Sequence, residues 1–326
     1  RTLMTEPIVS VIIPVYNESA FIDKCMHSLL NQTYPKQQTE FILIDGLSND
    51  DTVSKLEQYT SNLKMCILSN EKRLVPYALN IGIQHAKGKY IIRMDAHAEY
   101  APDYIEKCVY YLENTSADNV GGIAATKGSG FFGEANAEIL SSKFGVGNSD
   151  FRTETKSGYV DTVPFGAFRR KLFEQIGFFN PDLPRSEDND FNSRIRANGG
   201  KVYLAADIRF TYYCRDTAKG LLLQAIKNGN ALFLTLQKNP KAMSLRHYIP
   251  FLFLVSLLCL PPIAVILPFF RLILAIELGT YSLLNVLFSL KSARPIYFFY
   301  TLIMFPVFHL SYGLGSLLGL LNVRLY

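Results

Sequence analysis

Two hydrophobic periods alternate along the first two hundred residues. Short unbroken apolar runs, "IVSVIIP", "EFILID", "KMCILS" and "KYIIRMD", are separated by stretches whose apolar residues recur every three to four positions, "FIDKCMHSLLNQ", "DTVSKLEQY" and "VPYALNIGIQHA". The runs suit strands buried on both faces, and the stretches between them suit helices that cover those faces. The pattern predicts an α/β layer, Rossmann-like, with a mostly parallel sheet and helices on both sides.

Beyond residue 246 the pattern implies a different solvent. From Tyr248 to the end the only full charges are Arg271, Glu277, Lys291, Arg294 and Arg324. Residues 248–270, 272–290 and 295–321 each supply the roughly 20 apolar positions that a bilayer crossing takes, which predicts about three membrane-embedded helices. Pro250, Pro261, Pro262 and Pro268 should kink or break the first of them, so a re-entrant hairpin stands beside a clean span. Glu277 is expected to face protein or headgroups, since an ionised carboxylate in lipid costs roughly 2.5–3.5 kcal/mol. Between the two regions, residues 218–238 alternate leucines with Gln224, Lys227 and Asn228. They read as an amphipathic helix lying on the membrane, or as an ordinary core-packing helix. The expected domains are therefore 1–215, an α/β catalytic domain; 216–246, an interfacial region; and 247–326, the membrane helices.

Charge adds an orientation. Lys238, Lys241 and Arg246 precede the apolar block, and Lys291 and Arg294 occupy its second loop. The positive-inside rule then places the soluble part in the cytoplasm, at an inner (plasma) membrane, and no signal-peptide pattern opens the sequence. The net charge of +5 is modest and its cations are spread, which argues against a nucleic-acid partner. Five cysteines without CxxC spacing argue against a disulfide framework or a cysteine zinc site.

In such sheets ligands bind beyond the carboxyl ends of the strands. Those ends read "PVYNE" (14–18), "DGLSNDDT" (45–52), "NEKRLVP" (70–76) and "DAHA" (95–98). Any one could be a turn or a helix cap; acids and amides repeated along one edge favour a site. Asp95 and His97 offer one carboxylate oxygen and one imidazole nitrogen, a partial shell for Mg²⁺ or Mn²⁺ completed by phosphate oxygens and water, with the histidine tilting the choice to Mn²⁺. Taken alone, the pair equally fits a histidine that packs and an aspartate that accepts backbone hydrogen bonds. In "SEDNDFNSRIRANGG" (186–200), Glu187, Asp188 and Asp190 crowd the first turn of a helix. The helix dipole accounts for one or two of them; Asp188 is the candidate general base, with Glu187 and Asp190 as orienting neighbours. "GSGFFG" (128–133) matches GxGxxG, yet no second strand ending in an acid follows it, so the region reads as a mobile loop.

Together "VSVIIPVYNE", "ILIDGLSNDDT", "ALNIGIQHAKGKYIIRMDAHAEY", "VDTVPFGAFRRKLFEQIGFFN" and "SEDNDFNSRIRANGG" resemble the family 2 glycosyltransferases, and most of all the succinoglycan-type membrane enzymes whose metal motif is Asp-Ala-His. The resemblance covers nearly the whole chain, in order. It implies a GT-A fold and inverting transfer of a sugar from a nucleotide-diphosphate donor, typically a UDP-sugar such as UDP-glucose. By the same resemblance, Pro14, Tyr16, Glu18, Asp45 and Arg73 would hold the nucleotide, with Asn80 and Gly82 in the supporting helix and Arg93 pairing with a nearby carboxylate or phosphate. Asp95 and His97 would hold the divalent ion on the diphosphate, and Asp188 would deprotonate the acceptor hydroxyl. Where processive synthases carry Gln-x-x-Arg-Trp, this sequence has "QAIKNGN", beginning at Gln224, and no tryptophan. The expectation is one sugar per encounter, delivered to a lipid-linked saccharide acceptor in exopolysaccharide or cell-envelope glycan synthesis. A processive polysaccharide synthase and a non-catalytic nucleotide-sugar-binding membrane protein stand as alternatives.

Overall fold

The computed structural model describes residues 8–147, 149–153 and 156–325. They form two compact units, one of residues 8–125 and 156–213, the other of residues 126–153 and 214–325. The segment 126–153, although it follows a strand of the sheet in sequence, thus groups with the apolar end of the chain.

In the first unit, β1 (Val9–Val15), α1 (Ile22–Leu30), β2 (Thr39–Asp45), α2 (Thr52–Glu57), β3 (Met65–Ser69), α3 (Val75–His85) and β4 (Tyr90–Arg93) follow the predicted alternation. There follow β5 (Ala98–Tyr100), α4 (Tyr104–Asn114) and β6 (Asn119–Lys127), whose last two residues pass into the second unit. After the excursion come β7 (Gly158–Tyr159), β8 (Ala167–Arg169), a short helix Lys171–Ile176, the site helix Glu187–Ala197 and β9 (Val202–Tyr213). The strand order is β3-β2-β1-β4-β8-β6-β9-β5, with β7 on β9.

β1 through β4 pair in parallel, β1 lying between β2 and β4. Their runs are apolar because both faces are covered: Val9, Val11, Ile13, Leu43, Ile44, Tyr90 and Ile92 are fully buried. Gly82 lets α3 settle on this sheet, since a Cβ there would lie 2.5 Å from the Ile12 side chain. The other half is antiparallel, β8 pairing with both β4 and β6, and β5 with β9. The sheet is therefore mixed, and the mostly parallel expectation holds for its first four strands. The short runs of β5, β7 and β8 carry too few residues to show a period, which hides their direction in the sequence.

The second unit contains α5 (Gly130–Ser141), α6 (Lys143–Val146) and α7 (Asp150–Thr153), where the sequence suggested a mobile loop. Numbering the earlier pair Lys171–Ile176 and Glu187–Ala197 as α8 and α9, the chain continues with α10 (Ala218–Lys238), α11 (Ile249–Ile266), α12 (Phe269–Leu290) and α13 (Phe298–Leu320). Three helical stretches, 249–266, 269–290 and 295–320, are long and apolar enough to cross a membrane. α11 runs unbroken through Pro261 and Pro262 and stops short of Pro268, so the prolines do not divide it. Glu277 faces protein as expected, accepting a hydrogen bond from the Ser256 hydroxyl of α11. α10 packs along α13: a Cβ on Gly229 would lie 2.0 Å from the Tyr312 carbonyl oxygen, and one on Gly315 2.0 Å from that of Ile226. One face of α10 is thus packed against α13.

Candidate active site

At the carboxyl ends of the parallel strands, two loops are laced together. The Asn17 N–H donates to Ser48 Oγ at 2.9 Å, and the Asn49 N–H returns a bond to Asn17 Oδ1 at 2.9 Å. The Glu18 N–H donates to Thr52 Oγ1 and the Ser19 N–H to Asp50 Oδ2. Burial acts to raise the Asp50 carboxyl, but bonds from Thr52 and Ser19 outweigh it and hold the group at about 2. This lacing fixes the loop carrying Pro14, Tyr16 and Glu18 against the one that follows Asp45. Asp45, nearly buried, accepts from the Ser48 N–H at 3.2 Å and hydroxyl at 2.6 Å. Tyr16 leaves 44% of its surface open, and the Arg73 guanidinium stands 5.8 Å from its ring centre. Asn80 exchanges two hydrogen bonds with the Phe179 backbone, tying α3 to the loop that leads towards α9.

The end of β4 brings three ionisable groups together. His97 Nδ1 lies 2.9 Å from Asp95 Oδ1 and 3.0 Å from Glu18 Oε1. Burial alone would lower the imidazole, yet Asp95 and then Glu18 hold it well above the usual histidine value; for Asp95, in turn, burial is outweighed by His97 and the carboxyl is lowered. The resemblance put Glu18 with the nucleoside; the structure turns its carboxylate to His97. Buried Tyr100 supports the motif, its hydroxyl accepting from the Asp95 N–H at 2.6 Å and donating to the Asp95 carbonyl at 3.2 Å.

Among the described residues, no group of three or more His, Cys, Asp or Glu is arranged so that it could hold a metal ion by itself. Two carboxylate oxygens, each within 3.0 Å of the same imidazole nitrogen, nevertheless have the donor chemistry of an incomplete shell, in which substrate oxygens supply the remainder.

A second acidic centre sits where α9 begins. Arg93, the last residue of β4, donates from Nη2 to Glu187 Oε1 at 2.7 Å and from Nη1 to Asp188 Oδ1 at 2.5 Å. Its side chain is 8% exposed, and its Nε has no partner. The Phe165 ring lies under the guanidinium at 5.5 Å, and the Phe165 N–H donates to the Asp188 carboxylate. Burial, reinforced by Glu187 and opposed by Arg93, pushes Asp188 up to about 7. For Arg93 the two carboxylates outweigh burial and raise its already high value.

Asp190 lies in the same first turn of α9. It is buried and pairs with Arg194 at 3.0 Å on its own helix, while Arg194 also donates to the carbonyls of Ile176 and Phe178. Gln224 lies in the second unit, on α10, with Oε1 buried and unpartnered. The sequence assigned Arg93 no definite partner, and did not reveal Tyr100 or Asp50; an arginine ending an otherwise apolar strand was the only signal.

A sequence model described as glycosyl transferase family 2 matches residues 10–177. The chain is 30% identical over 323 residues, 96% of its length and 97% of the relative's, to a dolichyl N-acetyl-alpha-D-glucosaminyl phosphate 3-beta-D-2,3-diacetamido-2,3-dideoxy-beta-D-glucuronosyltransferase of Methanococcus voltae. It is 26% identical to the succinoglycan biosynthesis protein ExoA of Rhizobium meliloti, over 74% of this chain and 73% of that one. In fold it is similar to the mannosyltransferase PcManGT from Pyrobaculum calidifontis, solved in complex with GDP-Man and Mn²⁺, with a TM-score of 0.64 at 19% identity over 98% of this chain and 88% of that one. The sheet is a GT-A fold, and the chain belongs to glycosyl transferase family 2: it is a glycosyltransferase.

Proposed function

We propose that the enzyme is an inverting, metal-dependent transferase that moves one sugar from a nucleotide-diphosphate donor, a UDP-sugar such as UDP-glucose, to a lipid-linked saccharide at the inner face of the plasma membrane. The observation that carries this reading is the pair of acidic centres at one edge of the sheet: Asp95, His97 and Glu18 at one, Glu187 and Asp188 at the other, with Arg93 two residues from the first and bonded to the second. Relatives whose names specify a dolichyl-linked sugar and succinoglycan support the acceptor class, and PcManGT's bound Mn²⁺ supports the metal.

The bare ring of Tyr16 stacks on the base, Asp45 accepts a base N–H, and Pro14 and Arg73 complete the nucleotide cradle. Asp95 and His97, with Glu18 beside them, are the residues that would hold Mn²⁺ or Mg²⁺. When bound, the ion supplies Lewis-acid neutralisation of the departing diphosphate. Asp188 takes the proton of the acceptor hydroxyl as that oxygen attacks the anomeric carbon; the C–O bond to the diphosphate breaks on the opposite side, so configuration inverts and no covalent intermediate is required. Glu187 anchors the arginine that holds Asp188. The apolar helices α11–α13 keep the enzyme at the surface where a lipid-linked acceptor is found.

Incubation of the membrane-reconstituted enzyme with nucleotide sugars, Mn²⁺ and a polyprenyl-diphosphate-linked saccharide tests the reading. The expected product carries one added sugar. A ladder of lengths would mean a processive synthase, and Mn²⁺-dependent nucleotide binding without hydrolysis or transfer would mean a binding protein.

A further inference from the structure

The segment "GSGFFGEANAEILSSKFGV" (128–146) plays no part in the chemistry above, yet it is bound closely to the helices of the second unit. Three of its side chains hold α5 at the loop joining α12 to α13. Glu134 accepts from the Arg294 guanidinium at 3.0 Å and from the Tyr297 hydroxyl, Glu138 from the Ala293 N–H at 3.2 Å, and Asn136 Oδ1 from the Tyr300 hydroxyl at 2.8 Å. α6 then goes deeper. The Phe144 ring is inserted among Tyr281 and Phe288 of α12 and Phe305 and His309 of α13, with centroids 5.0–5.4 Å apart. The Phe144 carbonyl lies 2.8 Å from His309 Nε2, the other ring nitrogen facing the Tyr281 hydroxyl.

These partners, Phe288 apart, lie two to three turns along each helix from the connecting loop, a distance of about 10–15 Å at about 1.5 Å per residue. If α12 and α13 occupy a bilayer with their loop at its surface, a segment that touches them at that depth cannot stay in water. It also carries the apolar surface such a position requires. Phe131 and Phe132, 41% and 51% exposed, sit against Tyr297 and Tyr300 at the start of α13 with centroids 5.5–5.9 Å apart. Leu290 at the end of α12, Ile296 in the turn before α13 and Phe299 in the first turn of α13 are exposed apolar residues of the same helix pair and its connection. Aromatic rings beside a cationic loop, here Lys291 and Arg294, are the usual composition of a membrane–water boundary.

We propose that α5 and α6 form a wedge that dips into one leaflet of the bilayer, with Phe131 and Phe132 in the headgroup–acyl boundary and Phe144 beneath them between α12 and α13. Its partner is the lipid surface itself. In sequence this membrane contact falls between β6 and β7, well ahead of the C-terminal helices. The inference rests on the proposed membrane placement of α12 and α13, and its test keeps the two apart.

The chain contains no tryptophan, so a single introduced indole reports alone. The full-length variants Phe132→Trp, Phe131→Trp, Leu283→Trp (an exposed position of α12) and Tyr110→Trp (an exposed position of α4) are reconstituted into phosphatidylethanolamine–phosphatidylglycerol vesicles with or without brominated acyl chains. Indoles at 131 or 132 should be quenched by bromines near the headgroup, emit to the blue of Tyr110→Trp, and show several-fold weaker quenching by iodide than Tyr110→Trp. Leu283→Trp should be quenched by bromines deeper in the chain. If Leu283→Trp is quenched and neither phenylalanine position is, the wedge is wrong while the membrane reading stands. If Leu283→Trp is also untouched by brominated lipid, both fall.

Discussion

Replacing Arg93 by methionine keeps an unbranched chain about as far as Nε and removes the charged end that Glu187 and Asp188 share. Asp188 lies at about 7 because burial and Glu187 raise it while Arg93 restrains it. An opposite charge at contact distance lowers a carboxyl by about 1–3 units, so its loss should move Asp188 to roughly 8–10. At pH 7 the ionised fraction then falls from about one half to between about one tenth and one thousandth, and the base-dependent rate falls with it. Stability falls too: leaving buried charges without their partner costs about 3–5 kcal/mol, less whatever is recovered as one carboxyl takes up a proton. The assay is kcat/KM for sugar transfer by the reconstituted enzyme across neutral and alkaline pH, since that ratio reports the ionisations of the free enzyme. Wild type should gain activity as pH rises through about 7. Arg93→Met should show the same limb displaced to higher pH, with much of the lost rate regained there, and Arg93→Lys should fall between the two. Coincident limbs, or a loss of equal size at every pH, would refute the idea that Arg93 sets the state of the base.

The other predictions concern the same centres. Asp188→Asn should lower transfer by about 10²–10⁴-fold and leave calorimetric nucleotide affinity nearly unchanged; full activity would remove Asp188 from the role of base. The same variant carries a sign in pH: a carboxyl raised by folding destabilises the folded state once ionised, so its contribution is present below the unfolded pKa and lost as pH rises through about 7. The melting temperature of Asp188→Asn should therefore match that of wild type only below about pH 4, exceed it increasingly as pH rises to about 7, and keep a constant lead above that. Asp95→Ala should abolish most of the Mn²⁺-dependent gain in nucleotide affinity, and an unchanged Mn²⁺ titration would place the ion elsewhere. Tyr100→Phe removes the acceptor of the part-buried Asp95 N–H and should cost about 1 kcal/mol in denaturant melts; an unaltered midpoint would show that another acceptor takes over.

The sequence revealed what is local or periodic. The parallel half of the sheet could be read because β1, β2 and β4 are unbroken apolar runs, and the acids at strand ends because a strand of that kind stops where its chain leaves the core. The antiparallel half could not. β8 is three residues long, and its pairing with β4 brings the segment before α9 alongside Arg93, although the arginine and Asp188 are 95 positions apart. Nothing local distinguishes Asp188, bonded across the sheet, from Asp190, bonded to its own helix. The stretch 128–146 was misread for a related reason: glycines at 128, 130 and 133 look like loop, whereas its helices are held by Arg294, Tyr297, Tyr300 and His309, more than 150 residues away.

Backbone strain at the site follows the same logic. Asn17, Leu47, Arg73, Phe165 and Ser186 all have positive φ without being glycine, a conformation that costs of order 1–3 kcal/mol for an ordinary side chain and persists only where its surroundings enforce it. Sequence rules expect glycine at such turns, so each of these positions would be read as something else. The side chains explain why glycine would not serve. Arg73 must reach the ring of Tyr16, Asn17 must bond the second loop, and Phe165 must lie under Arg93 while its N–H faces Asp188. At Phe165 the strain and the proposed chemistry meet: a residue held in a left-handed turn gives one hydrogen bond to Asp188, the proposed base, and one aromatic face to the cation beside it. The alignment of Asp188 with Arg93 is then set by the framework before any substrate arrives, as a proton transfer that must coincide with attack at the anomeric carbon requires.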